Sequence, residues 1–256
     1  MDEKMLCRFF ERIGLDKDTK VEKTVAFLGL LQSSCIKNIA YENIDILSGK
    51  PLSLDPLSLF EKIVINRRGG YCFELNGFLK HVLLALGFDA SDRFARFLRG
   101  EEDIPMRRHR VVVVKLYGEE YLCDIGVGQY MPRYPLKIEE GIVQEQNGEE
   151  YRFERDNTHG WVLMEKHKGQ WRKLICFIEY PAFDIDFVQP SFFCEKHPDS
   201  VFNKSPMIAI KTDGGRKAIN GSEYKVFFGD ELIHIEENIT NERYTELLKN
   251  EFKLGI

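Results

Sequence analysis

Residues 66–76 read NRRGGYCFELN and place one cysteine, Cys72, at the mouth of a helix. From Leu75 to Leu86 the apolar residues recur at helical spacing, and Gly87 follows as a C-terminal stop signal. Cys72 therefore falls in the first turn, where free amides and the helix dipole are expected to stabilise a thiolate and to lower the pKa of the thiol. The alternative is a small buried apolar residue, which is what most free cysteines are.

A second segment offers polar partners for this thiol. Residues 108–126 contain two runs typical of antiparallel strands, separated by a tight turn at residues 117 and 118. With a two-residue loop, Asp124 lies opposite Val111, and His109 lies diagonally across from Asp124 on the same face. A register shifted by one residue would separate the two side chains.

These side chains suit nucleophilic catalysis. If the carboxylate of Asp124 accepts from one imidazole nitrogen of His109, the other nitrogen is free to take the thiol proton of Cys72. Taken singly, His109 is also explained as a solvated strand residue and Asp124 as an ordinary strand-end residue. Their position on one predicted face favours catalysis, and we predict a triad of Cys72, His109 and Asp124.

Three motifs surround the triad: RGGYCFE at residues 68–74, His109, and DIGVG at residues 124–128. In this order and at these spacings they resemble the arylamine N-acetyltransferases. Weaker matches extend the resemblance over most of the chain, at residues 41–43, 197–202 and 215–216. The resemblance implies the same three catalytic residues.

The sequence pattern divides the chain into three parts without a clear linker. Residues 1–87 are mainly helical and carry the nucleophile, residues 88–190 show strand-like alternation and carry His109 and Asp124, and residues 191–256 combine short strands with a closing helix. This is an α+β fold. The resemblance implies a helical bundle, an antiparallel β-barrel and an α/β lid around a catalytic core like that of cysteine proteases and transglutaminases.

Local signals place individual helices. Val21, Val25 and Leu28 recur at helical spacing, which predicts one apolar face. Asp55 followed by Pro56 predicts an N-cap and a first-turn proline for a helix through residue 64. The closing helix is predicted to have one apolar face, formed by Tyr244, Leu247, Leu248 and Phe252.

The resemblance also implies the substrates. Acetyl-CoA would be the acetyl donor, and an arylamine, an arylhydrazine or an N-hydroxyarylamine the acceptor, in a ping-pong mechanism through an acetyl-cysteine and in the context of xenobiotic metabolism. No metal is expected, because a thiolate exchanges one thioester for another. Tyr41, Phe73, Val127 and Phe202 match positions that line the acceptor pocket in the family, although aromatic residues more often belong to a core.

Two positions depart from the family pattern, and coenzyme A has no familiar phosphate loop. Val127 stands where phenylalanine is common, and Gln129 where a small or basic residue is often found. No glycine-rich run ends in Lys-Ser or Lys-Thr. Coenzyme A is therefore expected in the cleft between barrel and lid, with Gly126 and Gly128 beside its pantetheine arm, while Arg216 either meets the phosphates or belongs to a hairpin turn.

Composition excludes other classes of protein. The 256 residues carry a formal net charge of −5, and the isoelectric point near 5.8 argues against nucleic-acid binding. We interpret the basic cluster Arg107, Arg108 and Arg110 as a solvated strand edge, with a phosphate contact as the less favoured alternative. Without a targeting signal or an apolar run of membrane length, the protein is expected to be cytoplasmic with no membrane partner, and its six cysteines to be thiols.

Other functions remain open at this level. The same triad serves thiol hydrolases, transglutaminase-like enzymes and amide synthases with a different acyl donor, and dependence on acetyl-CoA separates these from an acetyltransferase. A catalytically inactive binding module ranks last, because all three triad residues are present. Arg68 is expected to pair with Glu42 and brace the cysteine loop, Glu74 to have a structural role, and the backbone amide of Cys72 to stabilise an oxyanion.

Overall fold

Seven α-helices and twelve β-strands form the chain in the computed structural model, which describes residues 1–256. The helices are α1 (Glu3–Arg12), α2 (Val25–Asn38), α3 (Ile44–Leu47), α4 (Pro56–Phe60), α5 (Cys72–Ala85), α6 (Val188–Lys196) and α7 (Asn241–Asn250). The strands are β1 (Asp89–Phe97), β2 (His109–Leu116), β3 (Glu119–Cys123), β4 (Leu136–Lys137), β5 (Gln144–Gln146), β6 (Glu149–Asp156), β7 (Gly160–His167), β8 (Gln170–Phe177), β9 (Met207–Lys211), β10 (Gly215–Asn220), β11 (Glu223–Phe228) and β12 (Glu231–Glu236). None of the helices has both the length and the apolar character needed to cross a membrane.

Capping residues decide where the early helices begin. Asp55 accepts hydrogen bonds from the first-turn amides of α4, and Pro56 occupies the first turn, as predicted. The α-helix ends at residue 60, however, and a π-helical turn, Glu61–Ile65, replaces the expected last turn. The predicted face that joins Val21 to α2 is wrong, because Thr24 caps α2 and leaves Val21 outside the helix and exposed.

The eight strands β1 to β8 form one antiparallel sheet in the order β4-β3-β2-β1-β8-β7-β6-β5. Side chains join its two outer strands. Gln144 donates to the carbonyl oxygen of Lys137 at 2.9 Å and accepts from its amide at 2.8 Å. Gln146 makes the same pair of bonds with Tyr134, at 3.0 and 2.9 Å. These side-chain amides imitate ladder bonds across the gap between the edges, and the sheet forms a nearly closed barrel, as predicted.

A second antiparallel sheet has the order β12-β11-β10-β9. Leu247, Leu248 and Phe252 at the end of the chain are buried in one apolar cluster with residues of this sheet, which confirms the predicted face of the closing helix. The backbones of Tyr41 and Ala209 exchange two hydrogen bonds, at 2.9 and 3.0 Å. The segment before α3 is thereby tied to strand β9.

One apolar core joins the helices to the barrel. It contains 47 buried residues and includes Phe78 from α5 and Val111 from β2. Because α5 and β2 share this core, the residues at the start of each element are held by the same packing. The fold is α+β, as predicted. The division of the chain at residues 87 and 190 stays a prediction, and its second boundary falls within α6.

Candidate active site

Cys72 is the first residue of α5, as predicted from the glycine-rich run before it. Its thiol is buried, and Sγ donates to the carbonyl oxygen of Arg108 at 3.5 Å. Glu74 accepts a hydrogen bond from the backbone amide of Tyr71 at 3.2 Å, which helps to fix the first turn of the helix. The sulfur therefore faces the start of β2.

The predicted hairpin register is confirmed. Val112 pairs with Cys123 in the β2–β3 ladder. The two turn residues, 117 and 118, have φ values of 53° and 85°, as in a type I′ turn. His109 is the first residue of β2, and Asp124 directly follows β3. Nε2–H of His109 donates to Oδ2 of Asp124 at 2.6 Å, so Nδ1 is left as the acceptor nitrogen.

Asn76 holds the carboxylate of Asp124 from the other side. Its Nδ2 donates to Oδ1 of Asp124 at 2.8 Å, and its Oδ1 accepts from the amide of Ile125 at 2.9 Å. The amide of Gly126 also donates to Oδ1 of Asp124, at 2.8 Å. The sequence-based prediction missed Asn76. Its signal is a polar residue within a buried helix, one turn after Cys72 on the same face.

Burial raises the pKa of the Cys72 thiol well above its ordinary value, and nearby Cys194 and Asp124 add to this effect. Hydrogen bonds from the backbone of Arg110 and Phe73 act in the opposite direction. The expected lowering of this pKa by the helix terminus is wrong for a neutral site, because desolvation outweighs the first-turn amides.

Two glycines allow segments of backbone to approach closely. A Cβ atom at Gly126 would lie 2.8 Å from Cα of Cys72 and 2.8 Å from Nδ2 of Asn76. A Cβ atom at Gly69 would lie 2.0 Å from the carbonyl oxygen of Ala40. Any side chain would push these segments apart. Gly126 thus brings the loop after β3 against the nucleophile.

A buried ionic network braces the cysteine loop. Arg68 Nη2 donates to Glu42 Oε1 at 2.8 Å, which confirms the predicted pair, and Arg68 Nη1 lies 3.0 Å from Asp45 Oδ1. Lys62 Nζ lies 2.8 Å from Asp45 Oδ2 and 2.7 Å from Glu74 Oε1. Burial raises the pKa of Glu74 to about 7. These contacts join the loop before α5 to α3 and to the π-helical turn.

Arg110 has a structural position rather than a solvated one. It is fully buried, and its guanidinium donates to both carboxylate oxygens of Asp92, at 2.8 and 2.6 Å. It also donates to Asp184 at 2.6 Å. The interpretation of this cluster as a solvated strand edge is wrong for Arg110 and Arg108, since only Arg107 is exposed. Strand β2 thus carries a positive charge into the core, because β1 and the segment before α6 supply its partners.

Cys72 and His109 open onto one cavity of about 330 Å³. Five of the predicted substrate or coenzyme residues also line it: Tyr41, Gly126, Val127, Gly128 and Phe202. Phe73 does not. Its ring is fully buried and packs against Tyr71 and Phe187, with ring centroids 5.5 and 5.7 Å away. Phe73 follows Cys72 in the first turn and therefore points into the core.

A second, polar cavity of about 170 Å³ adjoins the first, and Gln129 and Tyr130 line both. Arg216 lines the polar cavity, and its Nη1 lies 3.7 Å from Asp230 Oδ1. Its strand begins at Gly215, directly after a turn closed by backbone bonds between Thr212 and Gly215. No group of three or more His, Cys, Asp or Glu side chains is arranged to hold a metal ion.

Comparisons with known proteins identify the family of this chain. A family model described as N-acetyltransferase matches residues 24–256. An arylamine N-acetyltransferase from Mycobacterium bovis is 34% identical over 227 residues, which is 86% of this chain and 79% of that protein. The structure of the Salmonella typhimurium arylamine N-acetyltransferase superposes with a TM-score of 0.92 at 27% identity, covering 98% of this chain and 92% of that one.

A further solved structure carries a ligand. The Mycobacterium marinum arylamine N-acetyltransferase in complex with CoA has a TM-score of 0.91 and 29% identity to this chain, with 98% and 93% of the two chains covered. Sequence and structure therefore point to the same group of proteins, over nearly the whole chain. This chain belongs to the arylamine N-acetyltransferases, a family of acyltransferases.

Proposed function

We propose that this chain transfers the acetyl group of acetyl-CoA to an arylamine or arylhydrazine, by a ping-pong mechanism through an acetyl-Cys72 intermediate. The observation that carries the proposal is that Cys72 and His109 line one cavity while Asp124 is buried behind His109. A nucleophile, a base and an orienting carboxylate are thus assembled at a space that can admit both substrates in turn.

In the first half-reaction, Nδ1 of His109 takes the thiol proton as Sγ of Cys72 attacks the thioester carbonyl carbon. The carbon–sulfur bond to coenzyme A then breaks, and the imidazolium returns the proton to the departing thiolate. Burial raises the pKa of this thiol and so favours its protonated form, which supports proton transfer to His109 during the attack. One thioester replaces another, so the step requires no further source of energy.

In the second half-reaction, the neutral amine of the acceptor attacks the acetyl carbon on Cys72. His109 takes a proton from the nitrogen, the carbon–sulfur bond breaks, and the proton passes to Cys72 as the amide leaves. Asp124 keeps the imidazole in one orientation through both steps, since its Oδ2 accepts from Nε2 at 2.6 Å.

The tetrahedral intermediates need a donor for their oxyanion. The backbone amide of Cys72 lies in the first turn of α5, where amides have no partner within the helix. We assign it as an oxyanion donor, and the positive end of the helix dipole adds to its effect.

Two observations support the proposed donor and acceptor. The named relatives act on arylamines, and the Mycobacterium marinum structure contains CoA. In this chain the cavity has mainly apolar walls, which suit an aromatic ring. Gly126 and Gly128 expose backbone along the same cavity and are proposed to lie beside the pantetheine arm.

Intact mass spectrometry tests the proposal. Incubation with acetyl-CoA alone should add one acetyl group to the protein, and peptide mapping should place it on Cys72. Addition of an arylamine should then remove it with formation of the acetylated amine. Cys72→Ala should show no acetylation, whereas Cys123→Ala, which changes a buried cysteine outside the cavity lining, should be acetylated like the wild type. A folded, reduced wild-type protein without acetyl on Cys72 would refute the mechanism.

A further inference from the structure

Arg108 has an unusual position beside the reacting groups. It lines the catalytic cavity, directly before His109 in the chain. Its Nε is buried and has no hydrogen-bond partner. No carboxylate of the chain lies within 4.0 Å of its guanidinium nitrogens. A partly desolvated cation without a counterion is unfavourable, so binding of an anion beside this guanidinium would stabilise the protein.

The other arginines show that this situation is exceptional. Every other arginine that is not exposed has at least one side-chain hydrogen bond. Arg12 donates to backbone carbonyl oxygens, Arg99 and Arg172 bond to Glu165, and Arg110 bonds to Asp92. The remaining members of this group are also partnered: Arg68, Arg93, Arg96, Arg133, Arg152, Arg216 and Arg243. Arg133, Arg152 and Arg172 also leave one buried nitrogen each without a partner, but another nitrogen of each side chain is bonded. Among the arginines that are not exposed, Arg108 alone has no side-chain hydrogen bond.

The location of Arg108 restricts which anion can reach it. Its own carbonyl oxygen accepts from Sγ of Cys72 at 3.5 Å. Because the side chain of Arg108 starts from this same residue, its guanidinium lies within one side-chain length of the contact with the Cys72 sulfur. The phosphates of coenzyme A are separated from the thioester sulfur by the whole pantetheine arm. An anion carried near the reacting atoms can therefore reach the Arg108 guanidinium more easily than the phosphates of coenzyme A can.

The order of the proposed reaction favours the acceptor as the source of the anion. When the acetyl group is on Cys72 and coenzyme A has left, the acceptor is the molecule that fills the cavity. An aromatic ring would contact the apolar walls, with its amine toward the acetyl carbon and an acidic substituent toward Arg108. A carboxylate and a guanidinium form two parallel charge-assisted hydrogen bonds, which fix orientation as well as affinity.

On this basis, which rests on the proposed function, we propose that Arg108 binds a carboxylate of the acceptor. Aryl carboxylic acids that carry an amine on the ring, such as 4-aminobenzoate, are then the preferred acceptors. Arg108 is thus a specificity residue, and the carboxylate takes no part in bond making or breaking. Glu101 is the one carboxylate in the cavity lining, and it is exposed. Its negative charge repels the carboxylate of the acceptor, so Glu101→Gln should strengthen the preference for acceptors that carry a carboxylate.

The test compares 4-aminobenzoate with its methyl ester, which lacks the charge. We expect Arg108→Met to lower the ratio of the two kcat/KM values, acid over ester, by about 10- to 100-fold, mainly through KM of the acid. Intrinsic nucleophilicity cancels when this ratio is compared between variants. Arg108→Lys should give an intermediate ratio, because a lysine keeps the charge but not the bidentate geometry. Arg107→Met, which removes an exposed arginine outside the cavity lining, is the matched control and should keep the wild-type ratio.

Three results would overturn the proposal. The first is an unchanged ratio in Arg108→Met. The second is a higher KM for acetyl-CoA without a change in the ratio, which would assign Arg108 to coenzyme A. The third is dependence on Arg108 only with a dicarboxylic donor such as malonyl-CoA, which would place the carboxylate on the acyl group.

A binding measurement separates this proposal from the catalytic one. Unreactive 4-nitrobenzoate should bind the wild type more tightly than methyl 4-nitrobenzoate does in calorimetric titration, and Arg108→Met should abolish the difference. Failure of acetyl-CoA to label Cys72 would refute the proposed reaction while leaving this measurement interpretable. Equal binding of acid and ester to the wild type, with normal labelling of Cys72, would refute only the role of Arg108.

Discussion

Two arginines flank His109 in the chain, and their surroundings are opposite. Arg110 faces the core, where Asp92 and Asp184 occupy its guanidinium nitrogens. Arg108 lines the cavity and has no side-chain partner. On the core side of β2 the charge of Arg110 is thus fully paired, and these ion pairs fix the position of the strand. On the cavity side the guanidinium of Arg108 has no partner within the protein, and we infer that reaction and substrate recognition take place there.

The same contrast applies to the uncharged groups. On the core side, Asn76 and the amide of Gly126 saturate Oδ1 of Asp124. On the cavity side, Nδ1 of His109 has no hydrogen-bond partner within the protein, and we propose that it accepts the proton of Cys72. A general base needs one ring nitrogen held in place by a fixed partner and the other nitrogen free to accept a proton.

The largest expected effect follows from a change behind the imidazole. Asp124→Asn should lower kcat for acetyl transfer by about 10⁴-fold, because an amide that donates toward Nε2 favours the wrong tautomer of His109. Steady-state kinetics with an arylamine acceptor measures this loss. Asp213→Asn, which changes an exposed carboxylate, serves as the control. A loss of less than tenfold in Asp124→Asn would show that Asp124 does not orient the base.

The next effect concerns stability on the core side. Arg110→Met should lower the free energy of unfolding by about 3–5 kcal/mol, since it leaves the buried carboxylate of Asp92 without its main partner. Urea unfolding followed by circular dichroism measures the change. The exposed neighbour gives the matched comparison, and Arg107→Met should stay within about 0.5 kcal/mol of the wild type. Equal stability of both variants would contradict the assignment of Arg110 to the core.

The smallest effect is a dependence of stability on pH. Burial raises the pKa of Glu74 to about 7, from 4.5. Between these pH values the folded state keeps a proton that the unfolded state has released, so the free energy of unfolding falls as the pH rises. Glu74→Gln does not titrate and should remove about 2–3 kcal/mol of this fall.

Urea unfolding at several pH values between 4.5 and 7 measures this slope. Glu61→Gln changes an exposed carboxylate in the preceding π-helical turn, and it should keep the wild-type slope. If Glu74→Gln shows the same fall in stability as the wild type, Glu74 does not take up a proton in the folded state, and its ion pair with Lys62 dominates instead.

Local patterns were sufficient to predict the parts of the site that depend on neighbouring residues. A two-residue turn at 117 and 118 fixed the strand register, and with it the meeting of His109 and Asp124. The glycine-rich run and the apolar spacing after it placed Cys72 at the start of a helix. In each case, backbone geometry over a short segment determines the result.

The errors arise where distant segments decide. The partners of Arg110 lie 18 and 74 residues away, so no local pattern distinguishes it from its solvated neighbour. The pKa of Cys72 depends on burial, which outweighs the backbone hydrogen bonds of Arg110 and Phe73. Phe73 matches a pocket position of the family, yet in this chain its ring packs into the core. Asn76 was missed because its partners, Asp124 and Ile125, belong to the hairpin.

The most direct measurement of the central claim is the rate of alkylation of Cys72 by iodoacetamide at neutral pH, in the wild type and in His109→Gln. The claim is that His109, rather than the helix terminus, makes the buried thiol reactive. We predict that His109→Gln reacts at least about 100-fold more slowly, because burial then keeps the pKa of Cys72 high. Equally fast alkylation of the folded variant would show that the helix terminus alone activates the thiol, and would contradict the claim.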